Sequence, residues 1–294
     1  MSSFSNSTLT AEDEDASLDW DPVADEDLGS FLDIPILSLE GEVATIEEGE
    51  DSNGSSCKSS KGDDSSKHME ELVKLKKDVL GILDNICPQN FDFLMERLHG
   101  LPITTQTHLQ ECVELIFEKA VEVPEFSVIA SRMCQVLQMK KVSVENSQTE
   151  TVNFKKLLIS LCQKEFNKDY LERPLGLRFA DGEMKKRRRW LGNIRFIGEL
   201  YMRQMLTARI MHECVQKLLE TRDEESLECL CLLLTTVGQV LDTETKQKLS
   251  KGPQDGLTDL SVYFNVMKKI TQDKKVSSRV LLKLMQDVID LFDR

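Results

Sequence analysis

The sequence predicts an all-α protein, an α-solenoid of about five HEAT-like antiparallel helix pairs. From His68 onward, apolar residues recur at spacings of three and four, which is the period of an amphipathic helix. Prolines and polar clusters divide this pattern into about ten segments. Pairs of segments recur at about 40 to 47 residues, the length of a HEAT-type repeat. Because a helix pair can cover its apolar faces only by stacking on a neighbour, a stack is favoured over a single helical bundle.

The boundaries of the predicted helices follow from residues that interrupt a helix. Pro88, Pro102 and Pro124 fall between segments, because proline lacks the amide hydrogen that a helix interior needs. No stretch shows the convincing alternation of apolar and polar residues that indicates a strand. In chain order, the predicted helices span residues 68–86, 90–99, 107–121, 125–139, 151–168, 183–204, 207–220, 223–240, 257–271 and 276–293.

Charge divides the chain near residue 67. The 294 residues carry a net charge of −14, and residues 1–67 hold 18 acidic and 3 basic side chains. Such a polar segment cannot bury enough apolar area to offset the entropy lost on ordering. Residues 1–67 are therefore predicted to form a disordered acidic tail, and residues 68–294 a helical domain. Apolar residues among the acids, such as Leu18, Trp20 and Phe31, could alternatively fold on an unknown partner.

The sequence contains no recognised catalytic motif. A Gly-rich phosphate loop and a nucleophile elbow are both missing, so no catalytic or cofactor-binding residue is predicted and the chain is not expected to be an enzyme. The eight cysteines lack a CxxC pair and predict free, buried thiols in a reducing compartment rather than metal ligands. None of the four histidines has a sequence neighbour that suggests a metal site, and His212 is interpreted as a histidine on a helix face.

The expected location is the cytoplasm, with no membrane association. The N-terminus lacks the basic region and apolar core of a secretory signal. No apolar run approaches the roughly 20 residues that span a bilayer.

The clearest local chemistry is a basic run that begins a predicted helix. The run and its continuation comprise Lys185, Lys186, Arg187, Arg188, Arg189 and Arg195. A dense positive run attracts the phosphates of RNA, and the adjacent Trp190 could stack on a base. Two other interpretations stay open. The run could be a solvated helix start paired with acids such as Glu183, or a nuclear localisation signal.

The residues that follow this run resemble a known family. The stretch LGNIRFIGEL at 191–200 is similar to the central signature of the middle domain of eukaryotic translation initiation factor 4 gamma. The resemblance extends over about residues 70–292 and implies five HEAT-like pairs, in agreement with the periodicity. Further segments that match in the same order are CVELIFEKA at 112–120, PEFSV at 124–128, VNFKKLL at 152–158, CQKEF at 162–166, DEESLECLC at 223–231, TTVG at 235–238 and MQDVIDL at 285–291.

The resemblance implies an adaptor of translation initiation. In that family the middle domain binds the DEAD-box RNA helicase of the cap-binding complex, binds mRNA, and has initiation factor 3 associated with it or its surroundings. The family's helicase contact includes apolar residues of the first helix pair, and the matching residues here are Leu83, Ile86 and Phe91. The family usually has leucine at the position of Ile86. Isoleucine keeps the apolar volume but has a different shape, which is expected to alter the affinity for the helicase. Without the resemblance, three apolar residues that flank Pro88 indicate core packing.

Departures from the family leave the direction of the effect on translation open. The charged insertion of the third repeat is short here, at residues 169–182, and the motif that docks the cap-binding protein has only near matches at Tyr170 and Tyr201. The chain is expected to bring the helicase to selected messages. The alternatives are that it sequesters the helicase and damps translation, or that it is an RNA-processing adaptor that does not use this helicase.

Overall fold

The structure is a computed structural model that describes residues 62–143, 151–171, 181–254, 256–273 and 276–292. The predicted disordered tail, residues 1–67, lies outside the described residues except for its last six. Those six belong to the first helix, which begins at Gly62 rather than near residue 68. The segment 169–182, where the family is expected to carry a charged insertion, also lies largely outside the described residues.

The described part of the chain contains ten α-helices, one short 3-10 helix and two strands. All ten predicted helices are confirmed, and all but two of their ends fall within three residues of the prediction. The helices are α1 (Gly62–Asn85), α2 (Phe91–His99), α3 (Gln106–Glu122), α4 (Ser127–Leu137), α5 (Phe154–Leu171), α6 (Asp181–Met202), α7 (Ala208–Thr221), α8 (Glu224–Leu249), α9 (Leu260–Gln272) and α10 (Arg279–Phe292). The 3-10 helix Pro124–Phe126 leads into α4.

Several helices begin where a side chain accepts a hydrogen bond from a free backbone amide of the first turn, which is the usual N-terminal cap. In α8, the Asp223 carboxylate accepts from the Ser226 amide at 2.9 Å. The same role is played by Thr105 in α3, Thr207 in α7 and Asp259 in α9. These caps fix the helix starts close to the predicted positions.

Helix α8 continues nine residues beyond its predicted end at 240. The apolar period fades there, but ion pairs one turn apart hold the polar last turns in helical form. Lys246 Nζ lies 2.7 Å from Asp242, and Lys248 Nζ lies 3.0 Å from Glu244. The helix stops at Leu249, shortly before Gly252, whose φ of 134° is left-handed.

A two-stranded antiparallel hairpin corrects the prediction that the chain has no strands. Strand β1 (Lys141–Ser143) pairs with β2 (Thr151–Asn153), and Val142 faces Val152. Three residues are too short to display an alternating pattern, so sequence periodicity could not reveal them. The hairpin also moves the start of α5 from 151 to Phe154, where Asn153 Oδ1 accepts from the Lys156 amide at 2.6 Å.

The helices pack as five consecutive pairs, α1–α2 through α9–α10, and each pair contacts the next. One row runs α4, α6, α8 and α10, and the other contacts include α1 with α3, α3 with α5, and α7 with α9. A single apolar core runs between the layers from Leu75 to Ile289. This serial packing is the predicted solenoid rather than a single bundle.

Helix α8 is the one helix in the described ranges that is long and apolar enough, by length and composition, to cross a membrane. More than half of its most apolar stretch is buried inside the fold, against α6, α7 and α10. This burial is what a central helix of a repeat stack requires. The prediction that no segment is long and apolar enough to span a bilayer was therefore too strong. The apolar composition of α8 is explained by its packing against three neighbouring helices.

The family-like signature of α6 is a packing element. An added methyl at Gly192 would meet the Val121 carbonyl oxygen at 2.0 Å, so α6 crosses α3 with no room for a side chain. The buried Asn193 amide donates to the Cys162 carbonyl of α5 at 3.0 Å. Phe196 meets the Phe117 ring edge-on, with ring centres 6.1 Å apart. These contacts join α6 to two neighbouring helices.

We predict that Gly192→Ala lowers the free energy of unfolding by about 3 kcal/mol, because the methyl must push α6 away from α3. Gly81→Ala is the matched control, since a methyl there meets nothing within 4 Å. In the control, helix propensity should raise stability by about 0.5 to 1 kcal/mol. Urea denaturation followed by circular dichroism measures both, and equal effects would contradict the close crossing.

Candidate RNA and partner surfaces

The basic run lies on the first three turns of α6 and does not act as one surface. Lys185, Lys186, Arg187 and Arg188 are exposed, whereas Arg189 is partly buried. Helical spacing places Lys185, Arg188 and Arg195 on one side of α6, because positions three or seven apart share a face. None of these three forms an ion pair with another described side chain. They form the free basic face of α6, on which Lys185 and Arg188 are exposed and Arg195 is half-buried.

Arg189 is turned inward and connects three helices. Its guanidinium donates to Glu118 of α3 at 2.5 and 2.7 Å, and to Glu165 of α5 at 2.5 and 3.1 Å. The guanidinium carbon also lies 5.8 Å from the centre of the Phe117 ring. Hydrogen bonds to Glu118, and then to Glu165, raise the pKa of Arg189 above its ordinary value, although burial opposes this. The guanidinium of Arg189 is therefore used in contacts that link α6 to α3 and α5.

Arg187 points towards α8. Its Nε donates to Glu228 at 3.0 Å, and an Nη of the same guanidinium also bonds that carboxylate. The hydrogen bond to Glu228 raises the pKa of Arg187. Because about half of the Arg187 side chain is exposed, this pair is solvent-screened and its contribution is small. Among the described side chains, the interpretation of the run as a helix start paired with acids thus holds for Arg187 and Arg189, whereas the side chain of Glu183 lies outside them.

Trp190 does not offer a ring for base stacking. Its exposed fraction is 2%, and it belongs to the core between the helix layers. Helical geometry explains the position, because residue 190 lies on the side of α6 opposite Arg188 and Arg195. The suggestion that this ring could stack on a base is therefore wrong for the folded chain.

The expected helicase-binding residues lie at the corner between α1 and α2. Leu83, Ile86 and Phe91 are 1%, 7% and 3% exposed, and all three belong to the core. The guanidinium carbon of Arg132, from α4, lies 3.8 Å from the centre of the Phe91 ring. The corner places these side chains together, but in the free chain they face inward.

Two asparagines set the shape of this corner. Asn90 Oδ1 accepts from the Cys87 amide at 2.7 Å, and Asn90 Nδ2 donates to the Asn85 carbonyl at 2.8 Å. The Asn85 side chain in turn donates to the Gly81 carbonyl at 2.8 Å. The two Asn90 bonds satisfy the Asn85 carbonyl, which the end of α1 leaves free, and the Cys87 amide just beyond it. The turn is thereby held in a defined form.

Exposed apolar side chains near the corner were not identified from the sequence. Phe93 of α2 is 64% exposed and Leu80 of α1 is 43% exposed. A phenylalanine left in solvent is unusual and marks a candidate contact surface. The signal was present in the sequence, since Phe93 falls two residues after the inward-facing Phe91.

His212 of α7 and Cys112 of α3 are both buried. His212 bonds the Tyr263 hydroxyl and the Thr245 hydroxyl, each at 2.9 Å. Burial lowers the pKa of His212 to about 4, so it is neutral at physiological pH. It is a satisfied core histidine on a helix face, as predicted. Burial raises the pKa of the Cys112 thiol to about 12.

The seven described cysteines are free, and all but Cys87 are buried. This confirms the prediction of free thiols for that part of the chain, whereas Cys57 lies outside it. His68 of α1 and His108 of α3 meet with their ring centres 5.4 Å apart, although 40 residues separate them in sequence. That proximity could not be read from local spacing.

The chain matches one protein-family model. Residues 76–293 fit the MIF4G domain, which covers nearly all of the helical region and includes the basic run and the α1–α2 corner. The match starts within α1 and ends at the close of α10.

Several translation factors are similar to this chain. Human eukaryotic translation initiation factor 4 gamma 3 is 42% identical over 239 residues, which cover 74% of this chain and 14% of that protein. Mouse eukaryotic translation initiation factor 4 gamma 1 is 43% identical over 234 residues, covering 72% and 14%. The wheat (Triticum aestivum) factor 4G is 35% identical over 240 residues, covering 76% and 15%. The chain thus spans about one seventh of the length of these relatives.

Among solved structures, the MIF4G domain of the Trypanosoma cruzi translation initiation factor EIF4G5 aligns with a TM-score of 0.46 and 20% identity. That alignment covers 75% of this chain and 95% of the solved chain.

We predict that Arg189→Gln lowers stability by about 1 to 2 kcal/mol, because it leaves two carboxylates without their shared partner. The value is modest because Glu118 is 46% exposed and partly screened. The neighbouring Arg188→Gln, on the free face, should change stability by less than about 0.5 kcal/mol. Chemical denaturation of both variants tests this, and equal losses would contradict the division of the run.

Proposed function

Because this chain belongs to the MIF4G domain family, we propose that it is an adaptor of translation initiation that binds a DEAD-box RNA helicase and mRNA. The observation that best supports this proposal is the free basic face of α6. Most of the family signature in the same helix is buried in packing contacts instead. The adaptor binds and positions other molecules and catalyses no reaction. In this proposal, residues 68–294 act as the binding domain and the acidic tail 1–67 serves a separate partner.

The free basic face of α6 is the proposed RNA site. Lys185, Arg188 and Arg195 share one side of the helix, whereas the exposed Lys186 lies on another side. RNA phosphates could bind these three side chains without breaking an ion pair to any described residue. Arg187 could exchange Glu228 for a phosphate, whereas Arg189 would have to leave two carboxylates. The free face is therefore the part of the run best able to bind RNA.

The corner between α1 and α2 is the proposed helicase site. Leu83, Ile86 and Phe91 are buried, so in this proposal they hold the corner in the shape that the helicase binds. Direct apolar contact would come from the exposed Phe93 and Leu80. Aromatic side chains of this kind are the usual anchors of protein interfaces. The asparagine-stabilised turn between the helices supports a preformed binding surface.

Family membership also supports two coarser proposals. The translation factor relatives favour the cytoplasm as the place of action, and initiation factor 3 is a further proposed partner. Neither depends on the α6 face or on the α1–α2 corner.

We predict that the triple change Lys185→Gln, Arg188→Gln and Arg195→Gln weakens binding to single-stranded RNA. It should also reduce the slope of log affinity against log salt by about 2, since each phosphate contact contributes about 0.7. Fluorescence anisotropy over a salt series measures both quantities.

A matched control removes three lysines from the end of α8 and the turn after it, through Lys246→Gln, Lys248→Gln and Lys251→Gln. The same net charge is lost, so a general effect of charge would appear equally in both variants. An unchanged slope in the α6 variant, or an equal loss in the α8 variant, would remove the free face from the RNA site.

We predict that Phe93→Ala weakens helicase binding about tenfold, equal to about 1.4 kcal/mol, and lowers the stimulation of helicase ATPase activity in parallel. Because Phe93 is exposed, stability should change by less than about 0.5 kcal/mol. Met139→Ala, which removes another exposed apolar side chain (70% exposed), is the control and should leave binding unchanged.

Substitutions of the buried corner residues must be checked for folding before a loss of helicase binding is interpreted. Phe91→Ala should lower stability by about 3 to 5 kcal/mol, so lost binding in that variant has meaning only where folding is confirmed. If the unmodified chain binds RNA but neither binds nor stimulates the helicase, the helicase proposal fails and an RNA-processing adaptor takes its place.

A further inference from the structure

Three side chains come together where the start of α1 packs on the start of α3. His68, Glu71 and His108 each place a candidate ligand atom within 4.8 Å of the others. His68 is half-buried, Glu71 is exposed and His108 is 3% exposed. Two imidazoles and one carboxylate are a ligand set that suits a divalent transition metal, zinc foremost.

One ring nitrogen of His108 has a hydrogen-bond partner, and the other has none among the described residues. Its Nδ1 lies 3.1 Å from the Pro102 carbonyl oxygen, which can only accept, so Nδ1 carries the proton. A neutral ring with its proton on Nδ1 has its lone pair on Nε2, and that buried atom has no hydrogen-bond partner among the described residues. A ligating histidine typically donates its other nitrogen to a backbone carbonyl in this way. The arrangement leaves a buried nitrogen that a metal ion would satisfy.

The other two residues share one side of α1. His68 and Glu71 are three positions apart, so their side chains lie on neighbouring turns and face the same way. In tetrahedral zinc sites the ligand atoms lie about 3.3 Å apart, as follows from bond lengths near 2.0 to 2.1 Å. Since Glu71 is exposed and His68 half-buried, small side-chain rotations could close the remaining distance.

We propose that His68, Glu71 and His108 form a zinc-binding site that fastens the start of α1 to the start of α3. Two imidazole nitrogens and one carboxylate oxygen supply three ligands, and the fourth position is left for water or for a ligand from a partner. Helix α1 is the outermost described helix and packs mainly on α2 and α3. The ion would fix this terminal helix and with it the first repeat.

The test uses the full chain, stripped of metal with a chelator and titrated with Zn²⁺ while thermal unfolding is followed. A ligand that binds only the folded state raises Tm, so the unmodified chain should gain a few degrees. His68→Ala and Glu71→Gln should bind at least about tenfold more weakly and lose that gain. Neither side chain is fully buried, and circular dichroism checks that both variants fold.

Two close neighbours serve as controls. Glu70→Gln removes the adjacent carboxylate of α1, and His99→Ala removes an exposed histidine of α2; both variants should keep the full gain in Tm. Co²⁺ in place of Zn²⁺ should give a visible absorption spectrum without a thiolate charge-transfer band, which rules out binding by cysteines.

No gain in Tm at Zn²⁺ concentrations up to about 100 times that of the protein would overturn the site. A gain that persists in His68→Ala and Glu71→Gln, or a thiolate band with Co²⁺, would likewise overturn it by placing the ion elsewhere. The outcome is independent of the proposed helicase and RNA binding.

Discussion

The crossing of α6 over α3 is the contact on which the rest of the fold depends. The backbone of Gly192 lies so close to the Val121 carbonyl that no side chain could stand between them. This approach lets Asn193 reach the α5 carbonyl of Cys162 and brings Phe196 against Phe117. Helix α6 also packs on α4 and α8, so one helix links the second, third and fourth pairs of the stack. A shift of α6 would therefore disturb four neighbours together.

The same crossing decides how the basic run of α6 can be used. With one side of the helix pressed against α3 and α5, Trp190 is carried into the core and Arg189 is brought to the acids Glu118 and Glu165. Lys185 and Arg188, near the start of the helix, remain exposed. A run of like charges in sequence thus becomes two groups with different roles, one that ties helices together and one that faces solvent. Net charge alone does not distinguish them.

Much of the fold could be predicted from the sequence because each helix shows its period locally. The hairpin at Val142 and Val152 could not, since three-residue strands have no visible alternation. The extent of α8 depends on ion pairs one turn apart, such as Asp242 with Lys246, which an apolar pattern does not register. Contacts between residues far apart in sequence could not be predicted either. The approach of His68 to His108 depends on how α1 lies on α3.

The candidate surfaces were predicted less completely than the fold. Their segments were identified, but burial separates Phe91 from the exposed Phe93 and Arg189 from the exposed Arg188. Ultraviolet cross-linking of the full chain to single-stranded RNA, followed by mass spectrometry of its peptides, tests the central claim most directly. The account predicts cross-links in the α6 peptides that carry Lys185, Arg188 and Arg195. Cross-links confined to other helices, with those peptides unmodified, would contradict it.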